Sequence, residues 1–276
     1  MHVKPFVDIL LVLLPVFYAG LVALYGLAFF RGSRFAEGSK PVLLAVTVIL
    51  HIVYLVLRTV LLDHPPITSV FEIMSTLALS IAIGYCYIEL VTGTRNTGFF
   101  ILILAFVFQT GSSLFVKDVT SIPAYFRSLV LGFHVTAALL GYTAISLSAA
   151  YGFLYLMLYH EIKSTRFGLI YNRLPNLEML ETMSNKAEVF GFLMLSVAIL
   201  VGIVWLPRVF ERFSYLDPKL VGTMVIWCIY ALGLAAKKRF GWQGRKMMLL
   251  SLLAFGFLFL SMTVINLWLS GFHNFL

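Results

Sequence analysis

The chain has 276 residues, of which 61% are hydrophobic and 12% are charged, and its formal net charge is +8. A soluble core of this size cannot bury so much apolar surface, so the composition excludes an ordinary water-soluble globular protein. It predicts one membrane domain over residues 1–276. The basic residues lie in short segments between apolar runs, which is typical of a membrane topology signal and argues against nucleic-acid binding. Cys86 and Cys228 lie inside apolar runs and are expected to be core residues without a disulfide.

Eight stretches of the chain are apolar and long enough to cross a bilayer, which takes about 20 residues in a helix. The predicted spans are 6–30, 41–62, 69–93, 98–116, 128–160, 187–206, 220–236 and 247–272. The first is too long for a secretory signal and lacks a small-residue cleavage site, so it is expected to be retained. The runs lack the alternation of barrel strands. The sequence therefore predicts an all-α, polytopic membrane helix bundle.

The distribution of Lys and Arg predicts the orientation of this bundle. The segment 237–246, KKRFGWQGRK, holds five basic residues and no acidic one. When it is placed on the cytoplasmic side, thirteen basic residues lie in segments on that side and six on the other, which predicts that both termini are outside. In the longest inner loop, residues 174–186 carry leucines and a methionine at helical spacing. We interpret this segment as a short amphipathic helix on the inner membrane surface.

Three histidines are predicted to lie near the outer side of the bundle. His134 follows the outer start of the fifth span, His273 ends the eighth span, and His64 lies in the loop after the second span. An imidazole in hydrocarbon is costly unless it has a partner, so these residues are functional candidates. Capping of a carbonyl or contact with interfacial water stays open for each of them alone. His51 and His160 are interpreted as structural.

Two facing neutral histidines in an apolar site fit the axial ligation of haem iron. A zinc site is the less favoured alternative, because no acidic or thiolate ligands cluster with the histidines. The outer side also offers aromatic side chains for the porphyrin and cations for its propionates. These residues are Tyr125, Phe126, Phe210, Phe213, Tyr215, Trp268, Arg127, Arg208, Arg212 and Lys219. Arg58 and Glu72 are expected at a similar depth, and a buried ion pair is favoured over a haem contact or a proton role.

Four stretches resemble one known family. They are GFHVTAALLGYTAISLSAAYGFLYLM, DHPPITSVFE, LPNLEMLETMSNKAEVFGFLMLSVAILVGIVW and GWQGRKMMLLSLLAFGFLFLSMTVINLWLSGFHNF. Their order and spacing are similar to those of the cytochrome c assembly family, which includes CcsA, CcmC and HemX. The resemblance covers residues 40–276. It implies a haem-handling protein of the bacterial plasma membrane, more an assembly factor or regulator than a turnover enzyme.

The resemblance also implies roles for individual residues. His134 and His273 would ligate non-covalent haem b on the non-cytoplasmic face and present it to apocytochrome c or to another assembly protein. His64 matches the family's outer segment, Asp217 matches the loop between the histidines, and Trp227 matches the following helix. Arg127, Arg212 and Trp268 complete the expected cofactor site.

The chain departs from the family pattern in the loop between the two haem histidines. Phe210, Ser214 and Leu216 stand where the family has tryptophans, and Ala235 stands where full synthases carry a helical histidine. This combination resembles the short HemX branch, which implies control of haem biosynthesis through the abundance of glutamyl-tRNA reductase. Haem assembly or trafficking and regulation both stay open. A transporter is less favoured, because the chain shows no two similar halves with broken helices.

Overall fold

The structure is a computed structural model that describes residues 3–119, 122–165, 167–209, 214 and 216–261. These residues form helices and contain no β-strand. The nine α-helices of this part of the chain are α1 Lys4–Gly26, α2 Arg34–Leu62, α3 Val70–Thr92, α4 Gly98–Phe115, α5 Leu129–Lys163, α6 Leu169–Arg173, α7 Leu177–Val209, α8 Pro218–Phe240 and α9 Arg245–Leu260. A π-helical turn, Leu27–Arg31, follows α1, and a 3₁₀ turn, Ala124–Arg127, precedes α5.

Within the described part of the chain, seven segments are long and apolar enough to cross a membrane. They are Lys4–Arg31, Arg34–Leu62, Val70–Thr92, Gly98–Phe115, Leu129–Lys163, Leu177–Arg208 and Leu220–Phe240. They confirm the polytopic all-α architecture and correspond to the first seven predicted spans. The eighth predicted span, 247–272, begins in α9 and continues beyond the described residues. The orientation of the termini stays a prediction from the Lys and Arg distribution.

The chain divides into two compact units. The first comprises Met1–Ile122 with Phe167–Pro175, and the second comprises Pro123–Arg166 with Asn176–Leu276. Each unit has its own apolar core. In the first unit, buried residues of α1 and α2 pack together, and in the second unit α5, α7, α8 and α9 all contribute buried side chains to one cluster.

A chain of hydrogen bonds crosses the interior of the first unit and joins α1, α2, α3 and α4. Ser75 Oγ donates to Gln109 Oε1 at 2.9 Å, so Ser75 accepts from His51 Nε2 at 2.9 Å. This leaves His51 Nδ1 as the acceptor for the Tyr18 hydroxyl at 2.9 Å. Gln109 Nε2 in turn donates to Ser113 at 3.0 Å. His51 is fully buried and both ring nitrogens are used, which supports its interpretation as a structural residue.

In the second unit, α5 and α7 pack against each other at two glycines. A Cβ atom at Gly191 would lie 3.2 Å from the Gly141 carbonyl oxygen, and one at Gly141 would lie 3.2 Å from the Leu195 nitrogen. Small residues allow such close approach of membrane helices. At 1.5 Å per residue α5 is about 52 Å long, so it exceeds the thickness of a bilayer core. This pairing sets the position of side chains at the start of α5.

The prediction of a separate surface helix at residues 174–186 was wrong. Its main part forms the first turns of α7, which runs without a break from Leu177 to Val209. Leu180, Ser184 and Glu188 recur every four residues and are buried inside the second unit. The polar residues between them lowered the local hydropathy and suggested an end to the span. In the structure several of these residues are exposed, while the inward face of the helix continues.

Candidate functional site

His134 lies in the second turn of α5, which begins after Ser128. The Ser128 hydroxyl oxygen accepts the Val130 N–H at 3.3 Å and caps the helix. The half-buried His134 ring places Nδ1 2.9 Å from the carbonyl oxygen of Ala198 on α7. A carbonyl oxygen only accepts, so Nδ1 carries the hydrogen and the lone pair is on Nε2. This is the tautomer in which a histidine binds a metal through Nε2 while Nδ1 fixes its orientation.

Gly202 gives the His134 ring its place against α7. A Cβ atom at position 202 would lie 3.1 Å from His134 Cε1 and 3.4 Å from His134 Nδ1. A side chain here would therefore crowd the ring, which would have to shift by a few tenths of an ångström. Neither Gly202 nor Ala198 was predicted as a site residue. The recurrence of glycine at 141, 191 and 202 on α5 and α7 is the only sequence signal that pointed to close helix packing here.

Trp227 holds α8 against α7 in the same unit. Its indole N–H donates to the Ser196 hydroxyl oxygen at 2.8 Å. The indole also stacks on Phe192, with ring centroids 5.4 Å apart and an angle of 28° between the planes. Trp227 and His134 therefore contact α7 within one helical turn of each other. The Trp227 N–H is used inside the unit, and its side chain is half-buried.

Asp217 and Arg127 lie at the starts of two helices in the second unit. Asp217 directly precedes α8 and is 5% exposed, and its carbonyl oxygen accepts the Val221 N–H at 3.0 Å. Arg127 is exposed and ends the 3₁₀ turn before α5. Tyr125 and Phe126 of that turn have ring centroids 4.9 Å apart. Partial burial raises the pKa of Tyr125, which keeps its phenol neutral at physiological pH.

Three of the predicted site residues, His273, Arg212 and Trp268, lie outside the described residues. The same holds for the predicted aromatic residues Phe210, Phe213 and Tyr215. The pairing of His134 with His273 therefore stays a prediction. The described residues of the expected site are His64, which belongs to the first unit, and His134, Asp217, Trp227 and Arg127, which belong to the second unit.

His64 lies in the first unit, where it is 3% exposed. Its Nδ1 is 2.9 Å from the Pro65 carbonyl oxygen and its Nε2 is 2.8 Å from the Val119 carbonyl oxygen. Both partners are acceptors, and they belong to the loop after α2 and the segment after α4. A neutral imidazole has one N–H, so it donates to only one of these oxygens, and its other nitrogen must turn away from the second oxygen before it can ligate a metal.

Arg58 and Glu72 form the buried pair that the sequence favoured. Arg58 Nε donates to Glu72 Oε1 at 3.0 Å, and the two side chains are 2% and 1% exposed. Arg58 also donates to Asp118 Oδ1 at 3.0 Å and to the Lys117 carbonyl at 2.9 Å. Thr68 donates its N–H and its hydroxyl to Glu72 Oε2 at 2.9 and 2.7 Å. Both charges are well compensated, so this network holds the loops at one end of the first unit.

Comparison with known proteins identifies the family. The family described as Cytochrome C assembly protein matches residues 16–273. The chain belongs to this family. The HemX protein of Brevibacillus brevis is 28% identical over 231 residues, which cover 80% of this chain and 82% of that protein. The cytochrome c biogenesis protein CcsA of Prochlorococcus marinus (strain MIT 9301) is 25% identical over 290 residues, covering 95% of this chain and 92% of that protein.

A second CcsA protein, from Guillardia theta, is 24% identical over 230 residues, covering 76% of each chain. These matches confirm the resemblance that four separate stretches of the sequence suggested. The cytochrome c assembly match includes α2 to α9 and the second half of α1, so it extends over both compact units. His134, Gly202 and Trp227 all lie within it.

Proposed function

We propose that this protein binds haem b non-covalently at the end of the second unit where α5 begins, with His134 as one axial ligand and His273 as the other. The haem would be held on the non-cytoplasmic face of a bacterial plasma membrane, for cytochrome c maturation or haem trafficking. The recipient would be apocytochrome c or another assembly protein. Membership of the cytochrome c assembly family supports this proposal, as does the name cytochrome c biogenesis protein of its CcsA relatives.

The hydrogen bond between His134 Nδ1 and the Ala198 carbonyl carries the proposal. It selects the tautomer with the lone pair on Nε2 and holds the imidazole in one orientation. Partners of this kind fix metal-ligating histidines and raise their basicity. A histidine that only reached interfacial water would not need a glycine at position 202 to admit its ring.

The neighbouring residues suit a haem group chemically. Bound haem supplies the iron and its redox chemistry, and the chain supplies ligation, orientation and exclusion of water. Tyr125 and Phe126 offer aromatic surface directly before α5, and the exposed guanidinium of Arg127 follows them in the chain. An arginine can bind a propionate carboxylate through two parallel hydrogen bonds.

The test is the absorbance spectrum of the full chain, purified in detergent and incubated with haemin. We expect a Soret band with about one haem per chain, and a position typical of two histidine ligands. A protein that is folded by circular dichroism but gives only the spectrum of free haemin would overturn the proposal. The His273→Ala variant should change the ligation and leave His134 as the remaining ligand.

The HemX relative favours a second candidate function, because it aligns with 80% of this chain. The loop between the haem histidines has Phe210, Ser214 and Leu216 in place of tryptophans, which offers fewer hydrogen-bond donors to a presented haem. This chain would then be a membrane regulator that changes the abundance of glutamyl-tRNA reductase. Deletion of the gene separates the roles. Loss of holocytochrome c with unchanged reductase supports assembly, whereas altered reductase with normal holocytochrome c supports regulation.

A further inference from the structure

Glu188 is a buried carboxylate in a membrane-spanning helix. It lies on α7 within the span Leu177–Arg208 and is 1% exposed. Neither of its oxygens has a hydrogen-bond partner among the described residues. An ionised carboxylate without partners is very costly at such a position, because nothing replaces its lost hydration. Binding of a positively charged ligand would remove this cost.

Three serine hydroxyls of the described part of the second unit have no hydrogen to give Glu188. Ser184, one turn earlier on α7, donates its hydroxyl to the Ser148 carbonyl at 2.9 Å. The Ser148 hydroxyl lies 3.1 Å from that of Ser184, and the Ser251 hydroxyl lies 2.8 Å from that of Ser148. Since Ser184 has used its hydrogen, Ser148 donates to Ser184 and Ser251 donates to Ser148. All three serine hydrogens are thus used within this chain of bonds.

Helix α8 contributes the other neighbours of the carboxylate. A Cβ atom at Gly233 would lie 3.6 Å from Glu188 Oε1, so the backbone of α8 comes close to the acid. Tyr230 is fully buried, and its hydroxyl lies by Ser251 and makes no hydrogen bond of normal geometry with a described residue. Lys237, one turn after Gly233, is the cation whose charge acts on Glu188, yet the two form no ion pair.

We propose that Glu188 is a proton-binding site inside the second unit. One carboxylate oxygen takes a proton from hydronium of the solvent, so that an O–H bond breaks in hydronium, water is released and an O–H bond forms on Glu188. The neutral acid is the buried form. A metal cation fits poorly, because the described residues hold no group of three His, Cys, Asp or Glu side chains that could bind one. Glu188 is separate from the His134 site, since it lies ten residues from Ala198, about 15 Å along the helix.

Lys237 gives this site a way to release its proton. Its side chain is half-buried at the last turns of α8, close to the loop that joins α8 to α9. A lysine has a long flexible chain and can bring its ammonium group to a carboxylate that has lost its proton. Lys238 is the next residue and is exposed, so it serves as a matched control.

The test is infrared spectroscopy of the full chain in detergent at neutral pH, in light and heavy water. We expect the carbonyl stretching band of one protonated carboxyl group, shifted in heavy water. The Glu188→Gln variant should lose this band, and the Glu178→Gln variant, at an exposed position of the same helix, should keep it. A wild-type protein without the band, or an unchanged band in Glu188→Gln, would overturn the proposal.

Thermal unfolding of the same variants gives a second measurement. Glutamine has the shape of the neutral acid, so Glu188→Gln should keep the wild-type melting temperature, and Lys237→Met should behave like Lys238→Met. If Glu188→Gln and Lys237→Met both lower the melting temperature strongly while Lys238→Met does not, the carboxylate is ionised and paired, and the proposal fails. A band that appears only when Na⁺ is replaced by choline would identify a metal cation as the ligand and would equally overturn it.

Discussion

The His134→Ala variant is expected to bind haem about 100-fold or more weakly than the wild type. Loss of even an outer partner of a metal ligand costs roughly 10–100-fold in affinity, and this variant loses the ligand itself. The matched control is His160→Ala, which removes an exposed histidine from the other end of the same helix and should leave affinity unchanged. Titration of the purified variants with haemin, followed at the Soret band, measures both.

A second pair of variants tests the position of the ring without removing it. Gly202→Val adds a branched side chain whose Cβ atom alone would lie 3.1 Å from the His134 ring, so haem affinity should fall about tenfold or more. Gly132→Val is the control, because a Cβ atom there meets nothing within 4 Å. If Gly202→Val binds haem like the wild type, the contact between His134 and α7 does not orient the imidazole for binding to haem iron. Equal losses in both variants would mean that the substitution merely disturbs a helix.

The Arg58→Met variant is expected to lower the free energy of unfolding by about 3–5 kcal/mol. Methionine fills similar space but leaves the carboxylate of Glu72 buried at 1% exposure without its counter-charge. Asp118 and the Lys117 carbonyl lose a donor in the same step. Denaturant unfolding in detergent micelles, followed by circular dichroism, gives the change in free energy.

Lys4→Met is the matched control for this loss. Lys4 pairs with Asp118 at 3.3 Å, but the two side chains are 58% and 36% exposed. Exposed pairs of this kind contribute little, so the change should stay within about 1 kcal/mol. The double variant Arg58→Met with Glu72→Gln should recover part of the loss, since no unpaired charge remains. Equal effects of Arg58→Met and Lys4→Met would show that burial of the Arg58–Glu72 pair adds nothing to stability.

The spans of this protein could be predicted because a bilayer demands about 20 apolar residues in a helix. The residue at which α7 begins could not be predicted in this way. The hydropathy of its first turns is lowered by Glu178, Glu181 and Lys186, but the helix continues through these residues. Hydropathy reports the average of all faces of a helix, whereas the buried face of α7 is set by the helices that pack on it.

The histidines could be predicted as candidates because their burial in a membrane is costly, but their partners could not. His134 bonds to a backbone carbonyl, which leaves no trace in the sequence. His64 and His51 are both buried in the structure, and they differ in what they contact. His64 lies between two backbone carbonyl oxygens, and His51 bonds to the side chains of Tyr18 and Ser75. Tertiary contacts therefore decide which histidine can offer a ring nitrogen to a metal ion.

The most direct test of haem ligation by this chain is rescue of a His134→Gly variant with free imidazole. Glycine removes the imidazole ligand and leaves a space of the shape of imidazole beside α7. We predict that haem-loaded His134→Gly has an altered Soret band, and that added imidazole restores the wild-type position, whereas the spectrum of His160→Gly never changes. A His134→Gly protein that keeps the wild-type Soret band without imidazole would show that this nitrogen does not bind the iron.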